Sequence, residues 1–582
     1  MKHFLLLLFS LIALNLSAIE ITAERAKELA NVFFQTNHPQ KLSASFQMVF
    51  DGETAHTRAA GAAPALYVFD NINGKGFVIV SGDDITTPIL GYSFENEFPQ
   101  ENIPINISGW LDNLKSQINH AREMGLTSKH SRATDKLGET VVKLETPIWD
   151  QMAPFNNECP KINNKETPTG CVITATAIAM RYHQWPPKGK GVAPQYKTAT
   201  TGTYVNARSL QHDYHWDKMK YDYRNGNYSD EEAKHVAELM ADLGVLFKAD
   251  YHPNGTGAVM HNIMAGLSEY MDYDKSGIYL RRTDNNETEW YKMLKNELNN
   301  NRPIIYDGNN NSVGHAFILD GYTSTDYFSV NWGWGSYCNG YFRLDAMVPD
   351  GSGTGGNNSH YNNNQGAVFN LKKNEGGEYV ELFQYREDAN GVTGLTILEN
   401  NLDINKTIKI AVSWIGNTGH STINGQFIIG LVDKKGNLKE ELLTFPIEGL
   451  GPNLGWSFDQ LLTINSTIKI GDRICCLYKS ERYPEWNLIK GGEKCSWEIL
   501  IGNEKPLEES TQLRYNKIEK KLYISTKEGV SVKMFHNDSE LNVIQQITDT
   551  EYSIPTEGLT SVKLVLDKDE EHQEIKLKLN KQ

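Results

Sequence analysis

The sequence predicts an α+β protein: a two-lobed central unit, preceded by a small α+β unit and followed by all-β, sandwich-like units. Three observations predict it. Between about residues 146 and 373, helical and loop segments come first. Strand-like runs (PIIYDG, HAFILDGY, YFSVNWGWG, GYFRLDAM, GAVFNL) come after, which is the order of an α+β fold with two lobes. Upstream, residues 19 to about 125 combine helical periodicity with a hairpin, and downstream of Gly377 the texture changes to short alternating strands with polar turns. A chain of 582 residues, at about 150 residues per domain, is expected to form roughly four folding units.

The first residues read MKHFLLLLFSLIALNLSA. A basic start (Lys2, His3), an apolar run from Phe4 to Leu14 and a small-residue exit at Ser17 and Ala18 predict a signal peptide over 1–18, too short to span a bilayer. The protein is therefore expected to be secreted, with retention at the cell surface left open and no membrane insertion. In ERAKELANVFF, Ala26, Leu29, Ala30 and Phe33 share one helical face. ALYVFD and GFVIVSGDD read as a hairpin turning at Asn71–Gly74, and WLDNLKSQINHAREMG as an amphipathic helix ending at Gly125. The polar stretch LTSKHSRATDKLGET reads as an exposed linker, where proteolytic nicking concentrates. IKIAVSW, QFIIGLV and STIKIGDRICCLY read as strands, with a hairpin turn at Asp433–Asn437. The expected boundaries are 19–140 for the first unit and linker, 141–373 for the central unit, 378–503 for a β-sandwich and 511–582 for a small all-β unit.

A formal charge of -15 without a basic run argues against nucleic acid, because phosphate binding needs a basic face. The six cysteines (Cys159, Cys171, Cys338, Cys475, Cys476, Cys495) show no CxxC spacing, so no structural metal is expected.

Chemistry concentrates around TPTGCVITATAIAMRYHQWP. Cys171 follows Gly170 at the entrance of a helix rich in small residues (Ala175, Ala177, Ala179), where the positive end of the helix favours a thiolate. A structural cysteine that happens to begin a helix is the plain alternative, but SVGHAFILDGY weighs against it. His315 lies 144 residues downstream (315 minus 171), the papain-like order of nucleophile and base. FSVNWGWG then offers Asn331 and Trp332 as groups to orient and shield the imidazole. Gln151, 20 residues before Cys171 (171 minus 151), is a candidate oxyanion donor together with the Cys171 amide.

With these segments in this order, together with ELMADLGV, GYFRLDAM and GSGTGG, the chain resembles the streptopain family of bacterial cysteine peptidases, a branch of the papain-like fold, over residues 19 to 373. The resemblance implies an exported precursor whose prodomain acts as an intramolecular inhibitor. It also implies broad endopeptidase activity on protein and peptide substrates, preferring a bulky apolar residue two positions before the cut. It assigns Cys171 as nucleophile, His315 as base and Gln151 as oxyanion donor, with Trp332 or Asn331 orienting the histidine. Papain's Asn-Ser-Trp arrangement is not kept, because Trp332 directly follows Asn331, so the choice between them stays open.

No cofactor is expected. Gly351–Gly356 fits GxGxxG but neither follows a clear strand nor opens a helix, and resembles instead the Gly-rich loop bordering the cleft in this family. His183 and His360 lack ligand spacing. A Cys159–Cys338 disulfide, and pairing of Cys495 with Cys475 or Cys476, are left open, since geometry decides them. Two rival readings are a surface binding or adhesive protein with a vestigial peptidase domain, and an acyltransferase or amidase on the same nucleophile.

Overall fold

The computed structural model describes residues 20–50 with short breaks, 64–99, 103–123, 138–285, 287–309, 314–345, 365–386, 394–398, 407–469, 471–491, 495–501 and, with short breaks, 512–578. Residues 1–18, most of the linker, the stretch Gly351–Gly356 and His360 lie outside the described residues.

An antiparallel sheet of eleven strands organises the first two-thirds of the chain. It begins with Phe46–Phe50, Leu66–Asn71, Phe77–Ser81 and Ile89–Ser93 and continues without interruption into Gly340–Phe342, Phe328–Asn331, Gly314–Thr323, Ile304–Asn309, Gln365–Phe369 and Ile278–Arg281, while Thr140–Lys143 pairs beside Gly314–Thr323. The small N-terminal unit, expected as a separate body, thus joins the central one edge to edge, with Tyr92 opposite Tyr341 and Gly91 opposite Phe342. Two glycines permit the approach: a Cβ on Gly340 would lie 2.5 Å from the Tyr92 carbonyl oxygen, and one on Gly91 2.7 Å from the Phe342 ring.

Helices cover both faces. Helix α1 (Ala23–Asn37), started by the Thr22 hydroxyl accepting from the Arg25 amide, buries Ala26, Ala30, Phe33 and Phe34 against the N-terminal strands. Helix α2 (Ile105–Glu123) reaches from that unit onto the central strands, where Trp110 meets Phe317 at 5.7 Å and Trp332 at 6.1 Å. On the opposite face lies α3 (Cys171–His183), buried from Val172 to Arg181. Its alanines leave room for α4 (Asp230–Leu246), which opens with a Ser229/Glu232 capping box, and for the sheet residues Ile305, Ala316 and Ile318. Helices α5 (Asn262–Tyr270) and α6 (Glu287–Asn299) complete the two layers.

Downstream, two sheets of four and five strands share one core containing Tyr385, Ile410, Phe427, Ile429 and Cys476, which makes a sandwich. The hairpin at Asp433–Asn437 forms as expected, closed by the Asp433 and Asn437 backbones. Two further four-stranded sheets follow between Gln512 and Lys578. Cys159, Cys171, Cys338, Cys475 and Cys476 are free thiols. Cys159 belongs to the α3-side core and Cys338 to the α2-side core, which keeps that pair apart.

Candidate active site

Gly170, Cys171 and the strand holding His315 converge where α3 meets the sheet. Gly170 has φ +95°, and a Cβ there would lie 2.6 Å from the Thr256 carbonyl oxygen, so glycine is required for the turn that delivers Cys171 to the helix start. Cys171 keeps partial exposure. Burial pushes its thiol up, while the backbone N–H groups of Ala316 and Val172 point at the sulfur and pull it down. The Ala316 contact brings the nucleophile against the residue that follows His315.

His315 stands near the start of strand Gly314–Thr323, opposite Gly308. The imidazole is 7% exposed, Nε2 has no hydrogen-bond partner among the described residues, and burial pushes its pKa down to about 4. Burial thus favours the neutral form of both groups.

Gln151 is placed beside the nucleophile by backbone: its carbonyl accepts from the Thr169 amide at 3.0 Å, two residues before Cys171. Its buried side chain makes no hydrogen bond among the described residues, so the amide is available as a donor. The two candidates for orienting His315 each make hydrogen bonds to backbone or side-chain groups of other segments. Asn331 Nδ2 donates to Thr146 Oγ1 at 3.0 Å and to the Pro147 carbonyl at 2.9 Å, and its Oδ1 accepts from the Gly333 amide. Trp332 Nε1 donates to the Cys338 carbonyl at 3.1 Å, and its ring lies 4.7 Å from Phe317, two residues along the strand from His315. Asn331 thus pins the glycine-tryptophan loop to the 146–147 segment, and Trp332 buttresses the histidine strand through Phe317.

Sequence reasoning missed Asp307. It pairs directly with Ala316, its carboxyl accepts from the Tyr279 hydroxyl at 3.0 and 3.3 Å, and burial raises its pKa to about 7. The signal was an acid within the apolar run PIIYDG, meaningful only once the strand register is known. No group of three His, Cys, Asp or Glu side chains placed to hold a metal occurs among the described residues.

The model for the Peptidase C10 family matches residues 149–342, and that for the Spi protease inhibitor matches residues 18–118. The thiol protease/hemagglutinin PrtT of Porphyromonas gingivalis is 32% identical over 373 residues, an alignment spanning 61% of this chain and 42% of that protein. Streptopain of Streptococcus pyogenes is 31% identical over 369 residues, covering 60% of this chain and 91% of streptopain. Among solved structures, a prointerpain A fragment of Prevotella intermedia aligns at TM-score 0.46 and 29% identity over 56% of this chain and 99% of that one. Active interpain A from the same organism aligns at 0.35 and 30%, over 40% and 95%. With an inhibitor-like unit leading into a cysteine peptidase unit along nearly the whole of streptopain, the chain belongs to the Peptidase C10 family, the streptopain family of cysteine peptidases.

Proposed function

We propose that the chain is a secreted cysteine endopeptidase made as a precursor, in which Cys171 is the nucleophile and His315 its base. The observation that carries this reading is the meeting of the Cys171 sulfur, at the head of a buried helix, with the amide next to His315. His315 takes the proton of the Cys171 thiol, and the resulting thiolate adds to the scissile carbonyl carbon. The Gln151 amide and the Cys171 N–H hold the developing oxyanion. The imidazolium then protonates the departing amine as the C–N bond breaks, leaving a thioester that water, deprotonated by His315, hydrolyses to acid and free thiol.

The continuous sheet supports an inhibitory prodomain within residues 19–140, because its removal requires breaking a strand pair and withdrawing Trp110 from Phe317 and Trp332. Maturation is expected between about Leu126 and Thr146. No observation favours an adhesive protein with a vestigial site. Purified wild type should digest casein, lose that activity to an irreversible thiol blocker, and shorten from its N-terminus on storage. Folded Cys171→Ala should neither digest casein nor shorten, with a loss of digestion on the order of 10³-fold or more. Casein digestion by folded Cys171→Ala would overturn the assignment.

A further inference from the structure

Asp307 is a buried acid next to the nucleophile that neither the Cys-His pair nor the oxyanion donors require. Its strand runs antiparallel to the histidine strand, with Asp307 opposite Ala316 and Gly308 opposite His315. Directly opposed residues send their side chains to the same face of a sheet. Ala316 belongs to the core containing Val172 and Ile173, so Asp307 projects toward the start of α3. A negative charge there acts on the Cys171 sulfur and disfavours its ionisation.

The surroundings of the carboxyl are specific. From strand Ile278–Arg281 it meets the Tyr279 hydroxyl and the field of Arg281, and from its own strand the Asp307 N–H. Strand Gln365–Phe369 presents uncharged Gly366, where the Tyr279 phenol leaves no room for a Cβ. The histidine strand presents uncharged Ala316, and α3 contributes Cys171. Behind Tyr279 stands His261, its ring 4.5 Å away and its pKa pushed down to about 3 by burial and by Arg386. Arg386 Nη2 lies 3.3 Å from His261 Nε2, and Arg386 also faces Asp284. No ion pair neutralises Asp307 among the described residues.

We propose that Asp307 is a positioning residue that makes reactivity of the nucleophile respond to pH: protonated, it leaves the Cys171 thiolate to the helix start and the backbone amides; ionised, it opposes that thiolate. Burial places the change near pH 7. This inference rests on Cys171 being the nucleophile.

The test is the rate of Cys171 alkylation by iodoacetamide in the full chain, followed on the Cys171 peptide by mass spectrometry from pH 5 to 9. A rise of one unit in thiol pKa lowers the thiolate fraction about tenfold, and the compensating gain in nucleophilicity returns roughly threefold. Asp307→Asn should therefore match wild type below pH 6 and react about threefold faster above pH 8. Tyr279→Phe, which removes the donor to the ionised carboxyl, should move the wild-type inflection to higher pH. Superimposable profiles, or profiles differing by one constant factor at every pH, overturn the proposal. If Asp307→Asn does not fold, an unmoved inflection in Tyr279→Phe overturns it equally. Peptide turnover by Cys171→Ala, measured alongside, reports separately on the nucleophile, because the alkylation profile is readable whichever residue attacks.

Discussion

Gln151 and Asp307 each make a prediction separable from loss of the thiol itself. The Gln151 amide has no hydrogen bond among the described residues and is tethered by backbone two residues before Cys171, the arrangement of a donor kept free for a charge that develops only during reaction. Gln151→Ala should lower turnover on a peptide substrate by roughly 10²–10³ with little change in fold. Unchanged turnover would remove Gln151 from the site. Asp307 makes a stability prediction as well. Its pKa rises from 3.8 to about 7 on folding. The folded chain thus retains a proton that the unfolded chain loses, and stability falls as pH rises through that interval. The full difference, on the order of 4 kcal/mol, is present above pH 7 and vanishes below about pH 4. Asp307→Asn should melt progressively higher relative to wild type as pH is raised from 5 to 8. A difference in melting temperature that does not change with pH would show that the carboxyl does not titrate in this range.

At the scale of elements, the decisive contact joins Ile89–Ser93 to Gly340–Phe342. A side chain at position 340 must displace the Tyr92 backbone. Gly340→Val should weaken docking of the N-terminal unit by about 1–3 kcal/mol, the usual cost of forcing extra volume into a packed site. The precursor should then shorten roughly ten- to hundredfold faster, while the mature enzyme, which lacks the opposing strand, keeps its peptide turnover. Processing at the wild-type rate would mean that this strand pair does not hold the precursor closed. Sequence periodicity was enough to find α1 and α2, while the first hairpin and the helix behind Cys171, buried on both sides, were marked by apolar runs, turn residues and small side chains. The strand pair was not legible, since it is made of backbone hydrogen bonds between distant segments and leaves only two glycines as a trace. The Asn331 side chain was equally illegible: its partners, Thr146 and Pro147, lie nearly two hundred residues upstream. Asp307 gained meaning only from register.

Across the whole molecule, the β-rich tail is attached by more than a linker. The Asp274 carboxylate accepts from the Ser276 hydroxyl and amide and from the Glu375 and Gly377 amides at 2.8 and 3.1 Å, which together hold its pKa well below the usual carboxylate range against the opposing effect of burial. Lys275 sits 5.2 Å from the Tyr379 ring, and Arg386 reaches His261 and the partly buried Asp284. Tyr385, beside Arg386, is fully buried in the sandwich core, so these contacts bind one body to another. A chain ending at Lys373 retains Cys171, His315 and Gln151 but strips Asp274 and Asp284 of these partners. Leaving a buried charge without its partner is destabilising, by roughly 3–5 kcal/mol when both groups are enclosed and less where, as at Asp274, a local serine still donates. The shortened chain should therefore cleave a short peptide within a few-fold of the full-length rate at 25 °C, yet melt several degrees lower. Addition of salt should not restore the loss, because Asp284 is screened little by solvent ions. Equal melting temperatures would show that segment 374–386 rests on the peptidase unit without stabilising it. Lost peptide turnover in a folded shortened chain would show that the tail helps to build the active site.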